Sequence, residues 1–242
     1  MLELRASGER GHANHGWLQS AHSFSFAGYY DPRHVEFGPL RVINEDRVAP
    51  ARGFDAHSHR DMEILSYVLD GELEHRDSMG NGSVIRPGDL QRMSAGRGVT
   101  HSERNASLES PVHFLQIWIH PDRRGLEPGY QQKFFAPEEK RGRLRLIASS
   151  SGEHGSVSLN QDVRLYAGLF DGSEHAGLAL APTRCAYVHL ARGAVAINGK
   201  PLAAGDGLKI RELPQIELAD GRAAEILVFD LPAFDLPEGT TR

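Results

Sequence analysis

Glycine and proline punctuate this chain so often that little room is left for a long helix. Twenty-six glycines and 13 prolines are spread over 242 residues, and the segments between them are short: LRVIN, EILSYVL, HFLQIWI, LRLIAS, RLYAGLF, AYVHL and EILVFDL. Runs of that length, rich in β-branched and aromatic residues, suit strands better than helices. Turn signals MGNG, RPGD, SAGRG, NGK and AAGD lie between them. Many short strands at this spacing predict an all-β sandwich or barrel, with helix confined to short pieces. A hydrophobic content of 40% is enough for a sizeable core.

The chain also repeats itself. YVLDGELEH followed by GSVIRPGD is echoed by VHLARGAVAI followed by GKPLAAGD, with six positions from Gly82 to Gly88 and six from Gly199 to Gly205. The interval before each differs, 11 from Gly71 to Gly82 and six from Gly193 to Gly199, as if the second copy had lost a loop tip. Between the copies, residues 120–143 are rich in charge, Pro and Gly. Their basic residues are interleaved with Asp122, Glu127, Glu138 and Glu139, the composition of a solvated connector.

Charge and cysteine content narrow the function classes. A net charge of -5 lacks the basic surplus of a surface that tracks phosphates, so nucleic acid is not an expected partner. Cys185 is the single cysteine and cannot form an intramolecular disulfide; its setting, PTRCAYVHL, reads as a buried strand. No segment reads as a signal peptide or a membrane span, so the expectation is a cytoplasmic chain.

Thirteen histidines give about 0.7 His-x-His pairs by chance, so the pair His57 and His59 needs its context. It opens the run AHSHRDMEILSYVLDG. On a strand, residues two apart share a face with Cα atoms roughly 6.5 to 7 Å apart, and both imidazoles can converge on one ion inside a curved sheet. Forty-two residues on, His101 and Glu103 repeat the spacing after the Gly96 and Gly98 turn. Three imidazoles and one carboxylate suit Fe(II), Mn, Ni, Co, Cu or Zn and leave positions open for chemistry. Glu63 is a rival fourth ligand by strand parity; its other reading is a barrel-filling carboxylate paired with a donor such as Arg60. His75 either points toward the same cavity or makes a structural hydrogen bond. His12, His15, His22 and His34 fall in an irregular segment, where surface or turn hydrogen bonding is expected. His113, His120, His154, His175 and His189 have no partner at ligand spacing and read as core or surface residues.

With these residues in view, GFDAHSHRDMEILSYVLDG and SAGRGVTHSERN resemble the two cupin motifs. RGHANHGWLQSAHSFSFAGYYDP, LRVINEDRV, HSHRDMEILSYVLDGELEHRDSMGN, PGDLQRMSAGRGVTHSE and LQIWI together resemble the pirin family, in its bacterial branch similar to quercetin 2,3-dioxygenases. The resemblance covers most of the chain. It implies a bicupin, two β-barrels packed face to face. Residues 1–135 would form the metal-binding cupin domain and residues 136–242 a metal-free one. One divalent transition metal, iron first among the candidates, would be held by His57, His59, His101 and Glu103, so the resemblance selects Glu103 over Glu63. Two departures stand out. Ser58 occupies a position where many relatives have Pro, which would loosen the His-x-His turn, and three residues rather than five separate Gly53 from His57. In the second copy, counting from the repeat puts Ala179, Leu218 and Asp220 where His57, His101 and Glu103 stand in the first.

The resemblance further implies a flavonol substrate such as quercetin and dioxygen as co-substrate. Glu103 would be the general base for the 3-hydroxyl, and carbon monoxide and a depside the products. Gln116 and Trp118 are candidate pocket residues by strand parity, with core packing as the other reading for Trp118. Two other functions remain open at this level: a metal- and redox-dependent regulatory protein acting through a protein partner, and a cupin enzyme with another small-molecule substrate.

Overall fold

Two turns of the same construction recur in the computed structural model, which describes residues 1–232. Asp89 Oδ2 accepts from the backbone N–H of Arg86 at 2.9 Å, and Asp206 Oδ2 accepts from that of Ala203 at 2.8 Å. Each aspartate N–H returns to the carbonyl of the same residue. The glycines before them, Gly88 and Gly205, have φ of 96° and 85°, which favours a residue without Cβ. The repeat in the sequence is therefore a repeat of structure.

Strands surround these turns. In chain order they are Leu2–Arg5 (β1), Gly11–Asn14 (β2), Leu18–His22 (β3), Leu40–Val48 (β4), Gly53–His59 (β5), Glu63–Asp70 (β6), Leu73–Asp77 (β7), Gly82–Ile85 (β8), Asp89–Ser94 (β9), Val99–Asn105 (β10), Val112–Ile119 (β11) and Gly129–Phe134 (β12). After one helical turn at Pro137–Lys140 come Arg145–Ser149 (β13), Val157–Ser158 (β14), Arg164–Phe170 (β15), Ala176–Ala179 (β16), Arg184–Ile197 (β17), Lys200–Ala203 (β18), Gly207–Ile210 (β19) and Gln215–Pro232 (β20). The fold is all-β, as the punctuation predicts. No helix among the described residues is long and apolar enough to cross a membrane.

A seven-stranded sheet (β12-β9-β6-β11-β4-β3-β2) and a four-stranded sheet (β5-β10-β7-β8) make the first barrel, and a nine-stranded sheet makes the second. Long strands β17 and β20 carry three register shifts where they pair, between Leu190 and Ala196, which bend them and let one sheet serve as a barrel wall. The barrels pack face to face. One apolar cluster joins Phe24, Leu65 and Leu115 of the first to Ile147, Tyr187 and Phe229 of the second, with the rings of Phe24 and Tyr187 5.3 Å apart. Cys185 is buried on β17, and burial pushes its thiol up to about 11.

Two segments lie elsewhere than their place in the sequence suggests. Strand β1, within the segment read as the first half, pairs with β19 of the second barrel, Leu2 opposite Ile210. Part of the connector is strand β12, which pairs with β9 and extends the first sheet. The second barrel's interior is filled by apolar side chains, Leu218 among them. Its partner across the sheet is Ala176, not Ala179, because the second copy runs three residues out of step at this edge.

Candidate metal centre and its cavity

Strand β10 alternates buried and less buried residues along its length, placing Val99, His101, Glu103 and Asn105 inward. Its neighbour β5 runs antiparallel, with His101 opposite His57 and Val99 opposite His59. Between His101 and Glu103 the register shifts, so that Glu103 faces Phe54. Such a bulge re-aims side chains. Gly53 is required beside it: a Cβ there would lie 2.2 Å from the Glu103 carbonyl oxygen. Ser58, expected to loosen the turn, instead ties the strands together through a 2.7 Å hydrogen bond with the Thr100 hydroxyl.

The three imidazoles converge. Ring centroids are 4.8 Å apart for His57 and His59, 4.4 Å for His57 and His101, and 5.0 Å for His59 and His101. Each offers a nitrogen within 4.8 Å of the others'. His57 Nδ1–H donates to the Asp55 carbonyl at 2.7 Å, which leaves Nε2 with its lone pair free. Both ring nitrogens of His101 are buried without a protein partner, a costly arrangement unless a ligand satisfies one of them. Burial, reinforced by the neighbouring imidazoles, pushes His59 down to about 4 and His101 to about 3, so both are neutral donors at pH 7. This donor set fits a divalent transition ion.

The carboxylates divide. Glu103 forms a second close triad with His101 and His75, and Gln116 Nε2 donates to its Oε2 at 2.6 Å while Ser66 Oγ donates to its Oε1 at 3.2 Å. Glu63 belongs to another strand and another task. The chain turns at Asp61, φ 51°, and Glu63 on β6 accepts from Ser94 Oγ and from both the backbone and side chain of Asn160. It pins the second half of the chain to the first, and its partners do not include Arg60. His75 makes the structural hydrogen bond: Nε2 lies 3.1 Å from Asp77 Oδ2, and the fully buried ring packs behind the site, 5.3 Å from that of His101.

A cavity of about 640 Å³ opens onto His57, His59 and Glu103, within the size range of small-molecule sites. Trp118 and Gln116 line it, as do Phe26, Phe54 and Tyr29. Trp118 stands edge-on to His59 at 4.9 Å and to Phe26 at 5.4 Å, so one aromatic wall runs from the imidazoles to the far side. Of the histidines expected at the surface or in turns, His12 and His15 are exposed and also border this cavity, whereas His22, which lines it, and His34 are buried. For His22 the reason is pairing at long range: β3 adds to β4, with His22 opposite Asn44. Density of histidine and aromatic residues in RGHANHGWLQSAHSFSF is the one signal that could have found them. Asp46, also at the cavity, is buried, and its carboxyl is pushed up to about 7 by that burial together with the charges of Glu103 and Glu45.

Comparison with known proteins follows the same outline. A family profile described as Pirin matches residues 3–119, and one described as Quercetinase C-terminal cupin domain matches residues 146–231. The chain is 44% identical to a quercetin 2,3-dioxygenase of Escherichia coli, over 96% of this chain and 99% of that protein. It is 37% identical to a pirin-like protein of Caulobacter vibrioides, over 95% and 99%. Among solved structures, that of the Escherichia coli bacterial pirin YhhW in complex with nickel(II) superposes with a TM-score of 0.92 at 43% identity, covering 97% of this chain and all of that one.

Proposed function

The chain belongs to the pirin family, and from that premise we propose that it is a metal-dependent dioxygenase cleaving flavonols such as quercetin with O2. The observation that carries this reading is the convergence of three imidazoles at one end of an aromatic-lined cavity, with a hydrogen-bonded carboxylate beside them. His57, His59, His101 and Glu103 would hold the ion, iron first among the candidates, and the centre would lie in the half spanning residues 1–135. When bound, a divalent transition ion supplies Lewis acidity that lowers the pKa of a substrate hydroxyl, and redox capacity toward dioxygen.

The side chains do the rest. Glu103 takes the proton of the flavonol 3-hydroxyl, leaving an electron-rich enolate in the substrate. Gln116 and Ser66 fix the direction of that carboxylate. Trp118, Phe54 and Phe26 flank the planar rings and exclude water. The overall reaction balances: flavonol plus O2 gives a depside plus carbon monoxide, with both oxygen atoms retained in the products.

The test is anaerobic loading with Fe(II), Ni(II), Mn(II) or Co(II), then oxygen uptake and carbon monoxide release across a flavonol panel. Stoichiometric uptake and release with one of them supports the proposal. Absence of both with every metal and flavonol overturns it and moves a regulatory role through a protein partner ahead.

A further inference from the structure

The wall of the cavity formed by β3 and β4 differs from its aromatic sides. Ser20 and His22 on β3 stand opposite Asp46 and Asn44 on β4, and all four side chains line the cavity. They are already ordered by one another. Ser20 Oγ donates to Asp46 Oδ1, and His22 Nδ1 lies 2.8 Å from Asn44 Oδ1. An amide oxygen only accepts, so Nδ1 carries the proton and Nε2 keeps a lone pair. Burial lowers the pKa of His22, in keeping with that neutral tautomer.

These contacts use one end of each polar group. Among the described residues no hydrogen bond takes up Asp46 Oδ2, His22 Nε2 or the Asn44 amide NH2, and none of the three is a sealed, solvent-free atom. The wall thus offers two acceptors and one donor to whatever fills the cavity. Polar groups placed in an otherwise apolar pocket fix orientation and select ligands, because a ligand lacking the matching groups leaves them desolvated and unpaired.

We propose that Ser20, His22, Asn44 and Asp46 form a recognition site for phenolic hydroxyl groups on the substrate's rings, separate from the groups that engage its reacting 3-hydroxyl. This rests on the flavonol reading and adds to it the substrate class: polyhydroxylated flavonols are selected over flavonols that carry the 3-hydroxyl alone. Asp46 Oδ2, in the ionised carboxylate, and His22 Nε2 accept from ring hydroxyls, and Asn44 donates to a hydroxyl oxygen. Ser20 is a positioning residue, holding Asp46 Oδ1 so that Oδ2 faces the cavity.

The experiment measures binding without turnover. Quenching of tryptophan fluorescence is followed in anaerobic, Zn(II)-loaded protein titrated with quercetin and with 3-hydroxyflavone, which keeps the 3-hydroxyl and 4-carbonyl and lacks the other hydroxyls. Wild-type protein is expected to bind quercetin at least tenfold tighter. In Asp46→Asn the amide oxygen takes the Ser20 donation and a donor replaces the acceptor, so the quercetin preference falls to threefold or less while 3-hydroxyflavone affinity changes less than twofold. His22→Phe is a second, independent variant with the same expectation, and thermal melts identify a variant that has failed to fold. Equal affinities for the two flavonols in wild type, or equal losses for both in the variants, overturn the proposal. Failure of the parent reading looks different: the selectivity in binding survives, but no oxygen is consumed with any flavonol.

Discussion

Gln116 Nε2 donates to Glu103 Oε2 at 2.6 Å across 13 residues of sequence, from the seven-stranded sheet to the four-stranded one. This charge-assisted contact joins the sheets at the point where the carboxylate meets the cavity. Gln116→Leu keeps similar bulk and removes the donor. The expected result is metal content within twofold of wild type and kcat lower by about tenfold, equivalent to ~1.4 kcal/mol, with KM little changed. Steady-state oxygen uptake normalised to metal content decides; an unchanged rate would remove Gln116 from any positioning role.

Loss of His101 should differ from loss of the Glu103 charge. His101→Ala deletes the imidazole common to both close triads and is expected to abolish metal retention after dialysis. Glu103→Gln keeps an oxygen donor but no basicity, so it should retain most of its metal and lose flavonol cleavage by about 100-fold or more. Elemental analysis beside the uptake assay separates the two. Wild-type turnover per ion in Glu103→Gln would mean that another group accepts the proton.

Glu63→Ala tests the rival carboxylate. It removes the acceptor of the Ser94 hydroxyl and of the Asn160 backbone N–H, while the Asn160 amide keeps its bond to Ser94 Oγ, and an unpaired buried donor costs about 1–3 kcal/mol. The prediction is a melting temperature lower by several degrees with metal content unchanged. A loss of metal would place Glu63 in the ligand set.

His189 contributes to the loss of stability in acid, in the same direction as His34, His59 and His101. It is fully buried, with no partner for either ring nitrogen, and burial pushes it down to about 3 from an ordinary value of 6.5. The unfolded chain therefore takes up a proton below about pH 6.5 that the folded chain refuses until about pH 3, and stability falls as the pH drops through that window. Asp46, raised to about 7, works in the opposite direction but is shared by wild type and variant. His189→Leu is expected to lose less stability than wild type between pH 7 and 4.5, by about 2–3 kcal/mol at most. Parallel melting curves at the two pH values would refute it.

Local periodicity in the sequence was enough to determine the all-β class, the Gly-Asp turns and the shared face of His57 with His59 and of His101 with Glu103. Side chains alternate along a strand and turns demand particular residues wherever the strand lies, so neighbours in sequence carry that information. The match to the pirin motifs added the choice of Glu103 over Glu63, which spacing alone left open. Tertiary structure decided what each carboxylate touches. Glu63 meets Asn160 at a separation of 97 residues, and Glu103 meets Ser66 at 37. It also carried β1 across to the second barrel and brought His22 and Asp46 to the cavity wall, since β3 finds its place only by pairing with β4. These outcomes depend on register between segments remote in the chain, and a periodic pattern specifies a strand's faces without specifying its partner.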